Sequence, residues 1–219
     1  MLYFVHSIQG GKNMKVNKTQ KKFLYYVFAA LMAAMIFVTT YFLKIPIPTP
    51  AGQTMLKVSN ILVLLGGMLF GGVFGGLAAG IGNGLYDLLD PVYITSAPLT
   101  FAKFFIMALV CGLISNSGGK KGLSMKRNAI GAVCGGVTYW LLYITESIVK
   151  LMAAGSVFSA AAAACVPKMI TSGVNQTIAI IGSLLLIVPL NKALHNFLPK
   201  FAKEESSDSQ KNDAEEKEN

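Results

Sequence analysis

The sequence predicts an all-α integral membrane protein of six transmembrane helices with both termini cytoplasmic. Three observations carry that reading. Of 219 residues, 53% are hydrophobic and only 13% charged, and mean hydropathy is +0.56, far from the composition of a soluble domain. Six apolar stretches follow one another, separated by short polar, proline-rich or glycine-rich segments. The basic residues gather before the first stretch, between the fourth and fifth, and after the sixth, which puts all three groups on one side of a bilayer,. The formal charge of +9 therefore concerns membrane orientation. It does not point to nucleic acid, because the basic residues are not interleaved with aromatics on a polar surface.

The chain divides into a cytoplasmic leader (1–22), a membrane domain (23–190) and a polar, mainly disordered cytoplasmic tail (191–219),. Within the leader, Ile8-Gln9-Gly10-Gly11-Lys12-Asn13 is what a purine-rich ribosome-binding sequence and spacer encode when read in frame. Met14 is accordingly the expected start of translation, and a genuine disordered leader is the alternative. The first span, Phe23–Leu43, would be about 31 Å long, enough for a hydrocarbon core of roughly 30 Å. In it Ala29/Ala33 and Ala30/Ala34 make two overlapping small-xxx-small pairs, which serve either packing within the protein or docking of another membrane subunit.

Pro46, Pro48 and Pro50 then stop any helix,. The segment they belong to should neither become helical nor pair as a central strand. Gly52 gives it a joint and Gln53 an amide that could reach a ligand, so it is expected to act as a lid, mobile without ligand and ordered when ligand binds, with a stiff connector as the alternative. The second span is expected over Thr54–Phe70 and the third over Val73–Leu89, joined by a tight Gly71-Gly72 turn. Gly72, Gly76, Gly80 and Gly84 recur every fourth residue, drawing a stripe without Cβ atoms along which a neighbouring backbone can approach. The fourth span is expected over Pro98–Ser115, the fifth over Asn128–Ala154 and the sixth over Val166–Leu190. The glycine-rich basic loop between the fourth and fifth lacks the order of a phosphate-binding loop, and no strand precedes it. Cys111, Cys134 and Cys165 lie far apart in apolar segments, and His6 and His195 near opposite ends. Neither a disulfide framework nor a metal site is supported, and no cofactor is expected.

With that topology, Asn60, Asn83, Asp87, Lys103, Tyr143, Glu146, Asn175 and Gln176 fall in the outer halves of five different helices, while the inner halves are apolar. Charges inside a membrane face a cavity or each other, so the convergence predicts a polar pocket open to the outside. Trp140 stands beside Tyr139, Tyr143 and Glu146 on the fifth span, and an aromatic next to a carboxylate suits a flat polar ring. Lys103 with Asp87 or Glu146 could equally be a structural ion pair. Lys150, Lys168 and Asp90 are expected to snorkel to the headgroups.

Pro48-Thr49-Pro50-Ala51-Gly52-Gln53, the asparagine at the start of span two, the run Phe70–Gly80, the aspartate ending span three and Pro98-Leu99-Thr100-Phe101-Ala102-Lys103 together resemble one family. These are the substrate-binding S components of energy-coupling factor (ECF) vitamin transporters, of the riboflavin type. The resemblance covers about Tyr25 to Leu190. It implies a non-enzymatic subunit of the bacterial cell membrane that captures a vitamin or precursor at its outer face. It also implies partners, a transmembrane T subunit and two cytoplasmic ATPases, with the T subunit meeting Ala29, Ala30, Ala33 and Ala34. Riboflavin, pyridoxine-like and pyrimidine-like ligands all fit the pocket's groups. A stand-alone carrier or channel is the first alternative. A membrane enzyme, for which only Asp87 and Glu146 offer a carboxylate pair, is the second.

Overall fold

The computed structural model describes residues 18–117 and 124–197; the leader, the tail beyond 197 and the loop 118–123 lie outside them. The described residues form six helices and a two-stranded hairpin: α1 (Lys18–Phe42), β1 (Lys44–Ile47), β2 (Thr54–Lys57), α2 (Ser59–Phe70), α3 (Gly72–Leu89), α4 (Ala97–Asn116), α5 (Met125–Ala153) and α6 (Phe158–Phe197). A short 3-10 turn, Ile94–Ser96, leads into α4. By length and composition, Ile94–Asn116, Met125–Ala153 and Phe158–Leu190 can each cross a membrane, and Tyr26–Phe42 and Ser59–Phe70 are shorter apolar helices.

Helix α6 runs on to Phe197, seven residues into the segment read as tail, and two other boundaries that differ from the sequence reading bear on the site. Thr54–Lys57 is a strand, antiparallel to Lys44–Ile47 with Pro46 opposite Met55 and Ile47 opposite Thr54. Both strands are edges, and Pro46 tolerates that because an edge strand can leave an amide position outside the ladder. Helix α2 is left with twelve residues, about 18 Å, well short of a bilayer core. Helix α6 begins at Phe158, eight residues before the expected Val166. The run Ala160–Ala164, read as a connector, is simply a strong helix former.

The helices pack through their glycines. A Cβ at Gly72 would stand 2.7 Å from the Leu109 carbonyl oxygen, one at Gly76 2.9 Å from that of Phe105, and one at Gly80 3.0 Å from that of Phe101. The stripe is thus seated along α4, each glycine one turn from the next. At Gly84 it opens, the nearest atom being 3.6 Å away. A second contact joins α2 to α3, where a Cβ on Gly75 would lie 2.5 Å from the Gly66 oxygen, and a third joins α3 to α1, where one on Gly82 would lie 2.6 Å from the Ala33 oxygen. Meanwhile Val73, Leu77, Ile81 and Leu85 of α3 are exposed. Small residues inside and large aliphatics outside suit a helix surrounded by lipid, where close backbone contact replaces hydrophobic burial.

Between α2 and α3 the chain turns at Gly71 with φ +83°. Asn116 closes the gap, its Nδ2 lying 3.3 Å from both the Gly67 and Met68 oxygens at the end of α2. The closest backbone meeting is at Gly112, where a Cβ would sit 2.3 Å from the Gly72 nitrogen. Backbone cannot yield as a flexible side chain can. Gly112→Val is therefore expected to destabilise the bundle by about 3 kcal/mol or more, at the upper end of overpacking costs. Gly84→Ala should leave it unchanged. Thermal unfolding of the two variants in one detergent compares them, and equal midpoints would refute the tight α3–α4 contact.

Candidate functional site

At the hairpin end of the bundle lies a cavity of about 700 Å³ of empty space, part of it open solvent. The hairpin forms one wall with Gln53, Thr54, Met55 and Lys57, and α3 to α6, with Tyr93 and Ser96 from the turn before α4, supply the others. Of the residues singled out in the sequence, Gln53, Asp87, Lys103, Tyr143, Glu146 and Asn175 all line it. Asn60, Asn83, Trp140 and Gln176 do not.

Three side chains fix the hairpin over the cavity. The Lys168 ammonium donates to the Ala51 carbonyl at 2.9 Å, the Tyr143 hydroxyl to Thr54 Oγ1 at 2.9 Å, and the Lys57 backbone N–H to Asn175 Oδ1 at 3.2 Å. On the far side, Lys44 of β1 bonds the Tyr86 hydroxyl and pairs with Asp90 at 3.3 Å, while Tyr86 donates to Asp90 at 2.6 Å. The turn itself needs Gly52, whose φ of +94° excludes ordinary side chains,.

Charge is arranged around two acids. Glu146 accepts from Lys103 and, at 2.6 Å, from Lys150 one turn along α5. Of the two partners open to Lys103 in the sequence, the structure takes Glu146. Asp87 is nearly buried at 3% exposure, and its Oδ1 has no partner among the described residues. Lys57 stands over the rings of Tyr86 and Phe104 at 5.3 and 5.4 Å. Burial pushes its ammonium down to about 8, with Asp87 opposing the shift and Lys103 and Lys44 adding to it,. The aromatic wall is Phe104, tilted against Tyr139 at 4.7 Å, and Tyr143, stacked on Tyr139 at 6.0 Å. Lys103 and Lys168 approach the Tyr143 ring at 5.2 and 5.5 Å, within cation–π range.

The remaining sequence candidates have other surroundings. Asn83 sits in the core between α1 and α3, bonded to Thr40 and to the Ala79 carbonyl. Trp140 is a strut, its Nε1 donating to the Met169 carbonyl at 3.0 Å and so tying α5 to α6. The amides of Asn60 and Gln176 are buried with no side-chain partner among the described residues. Lys168 and Asp90, expected to snorkel, are held by the contacts above, and Lys168 is only 8% exposed.

The sequence reading missed Lys57, Thr54, Lys168 and Ser172 as cavity residues. Lys57 was hidden by placing Thr54 inside a helix. Lys168 was placed at a helix end, whereas it lies ten residues into α6 (158 to 168). A lysine beside a proline in an apolar run was the available signal for it. Among the described residues, no three His, Cys, Asp or Glu come together as a metal site would require.

Comparisons with known proteins place this architecture. A family described as ECF-type riboflavin transporter, S component, matches residues 20–192. A solved structure described as "Structure and mechanism of the S component of a bacterial ECF transporter" superposes with a TM-score of 0.52 at 21% identity, covering 81% of this chain and 99% of that one. At that identity the likeness concerns the fold. Among curated proteins nothing matches. The family match covers most of the chain and reaches into all six helices: this protein belongs to the S components of ECF-type riboflavin transporters.

Proposed function

We propose that the chain is the substrate-capture subunit of an ECF-type importer. It takes a small vitamin or precursor, riboflavin itself or a pyridoxine-like or pyrimidine-like compound, into the cavity beneath the hairpin. That cavity faces outward from the bacterial plasma membrane, and the ligand passes inward with the help of a T subunit and two cytoplasmic ATPases. The observation that supports this reading most is the cavity's composition: hydrogen-bonding and charged groups from one hairpin and four helices face an aromatic wall. Mass spectrometry of what co-purifies with the protein tests it directly. A protein that binds no small molecule, or that carries substrate into liposomes unaided, refutes it.

The site residues are proposed on the same basis. Asp87→Ala and Asn175→Ala should each weaken ligand binding by about 1–3 kcal/mol, through loss of an acceptor to the ligand in one and of the hairpin anchor in the other. Changing the core amide of Asn83 should act on stability before affinity. Calorimetric titration of the purified variants separates these, and unaltered affinity in both cavity variants counts against the site.

The hairpin is proposed as the lid. Its tip hangs from Lys168 through one neutral carbonyl, so a ligand competing for that lysine would free it, and a ligand filling the cavity would press on it. A spin label at Thr49 should change mobility on ligand addition. Gly52→Ala, strained at φ +94°, should alter the association rate by a few fold. A label blind to ligand, with unchanged kinetics in the variant, would leave the hairpin a fixed connector.

A further inference from the structure

We infer that the captured ligand carries an acidic group, a carboxylate or a phosphate, received by Lys57, Lys168 and Ser172; this rests on the capture reading and names its substrate class. The cavity is lined by four lysines (Lys57, Lys103, Lys150 and Lys168) against two carboxylates, Asp87 and Glu146. Glu146 is committed to Lys103 and Lys150. Among the described residues neither Lys57 nor Lys168 forms an ion pair; the lysines that do are Lys44, Lys103 and Lys150. Lys168, 8% exposed, bonds only neutral oxygens, the Ala51 carbonyl at 2.9 Å and Ser147 Oγ at 3.4 Å. Lys57 has aromatic faces beside its ammonium. Even with Asp87 counted against one lysine, the wall holds a surplus of positive charge.

A buried cation without a counter-charge is unfavourable, and a neutral ligand would desolvate these lysines further without neutralising them. An acid supplies the missing charge and replaces a neutral acceptor of Lys168 with an ionised one, a stronger hydrogen bond. The geometry has a place for a second acid oxygen. Ser172 lies one helical turn from Lys168, lines the same cavity, is 4% exposed, and its hydroxyl has no partner among the described residues,. Across the cavity, the unpartnered Oδ1 of Asp87 accepts from an N–H or O–H elsewhere on the molecule. The class is therefore a small aromatic acid that also carries a hydrogen-bond donor.

The full-length protein in detergent is incubated with a nutrient-rich cell extract, washed, and its bound species identified by native mass spectrometry. A carboxylic or phosphoric acid is the expected result. A neutral or cationic species overturns the inference and leaves the capture reading standing, while no bound small molecule overturns both. Matched probes add a second arm: riboflavin against riboflavin 5′-phosphate, pyridoxine against pyridoxine 5′-phosphate, and nicotinamide against nicotinate. In any pair that binds, the acid should bind at least tenfold more tightly. That preference should vanish in Lys168→Met and Lys57→Met and survive in Lys168→Arg. A preference for the neutral member, or one untouched by both methionine variants, overturns the proposal; if no pair binds, the mass of the captured species decides.

Discussion

Glu146→Ala is expected to destabilise the protein by about 3–5 kcal/mol, the cost of removing one partner from a buried ion pair. Glu146 holds two ammonium groups, and its side chain is 13% exposed beside a Lys103 that is 10% exposed. Without it, Lys103 remains inside the bundle over the Tyr143 ring with no carboxylate of its own. The converse change is milder. In Lys103→Met, Glu146 keeps Lys150, which is half exposed and follows it by one turn, so the loss should be smaller by 1 kcal/mol or more. Replacing both, as Lys103→Met with Glu146→Leu, removes the orphaned charge and should recover much of the stability, because apolar groups of similar volume often substitute for buried pairs without loss. Denaturant unfolding of the three variants in one detergent forms the comparison. A cost below about 1 kcal/mol for Glu146→Ala would mean that the pair is solvated and the cavity wetter than its walls suggest.

That triad also marks how far the sequence could be read. Lys103 and Glu146 stood out because charges are rare in apolar spans, and depth followed from counting residues at 1.5 Å each. Which way a residue points is another matter. In a soluble helix the polar face reveals the azimuth, but a membrane helix is apolar nearly all round and that signal fades. Asn60, Asn83 and Gln176 were placed at cavity depth on this basis, yet none of them lines the cavity. Trp140 has the right depth but spends its N–H on α6.

The elements show the same division. The glycine stripe of α3 was legible because its consequence, close backbone contact, needs only spacing. The hairpin was not. Proline counts against strands in general, and the continuing hydropathy of Met55, Leu56 and Val58 extended span two backwards over β2. The ribbon forms because it is two edges held at both flanks by side chains, Lys44 to Asp90 and Lys168 to Ala51, and such tertiary anchors leave no local pattern. Lys57 and Lys168 were lost to the same cause, since the end of β2 and the start of α6, which decide where each lysine lies, are set only by the fold.

Ala30→Leu combined with Ala34→Leu is expected to reduce uptake by more than tenfold in cells or in the reconstituted complex while leaving ligand binding to the isolated subunit unchanged. The two overlapping alanine pairs of α1 are separated by the structure. Ala33 is turned inward at 8% exposure, its carbonyl against Gly82 of α3, and Ala29 packs on the core. Ala30 and Ala34 are exposed, on a face shared with the exposed Val27, Leu31, Met35 and Val38. Small residues between larger ones make a shallow groove that lets another helix come near, and leucines there would hold it away. The docking proposed for the T subunit therefore falls to Ala30 and Ala34. Ala33→Leu is the contrasting variant: by pushing on α3 it should lower stability and ligand binding along with uptake. Parallel measurement of uptake, ligand affinity and co-elution with the T subunit distinguishes the faces. Wild-type uptake in the Ala30/Ala34 double variant would put the partner on another helix, and loss of ligand binding in step with uptake would make this face part of the protein's own packing.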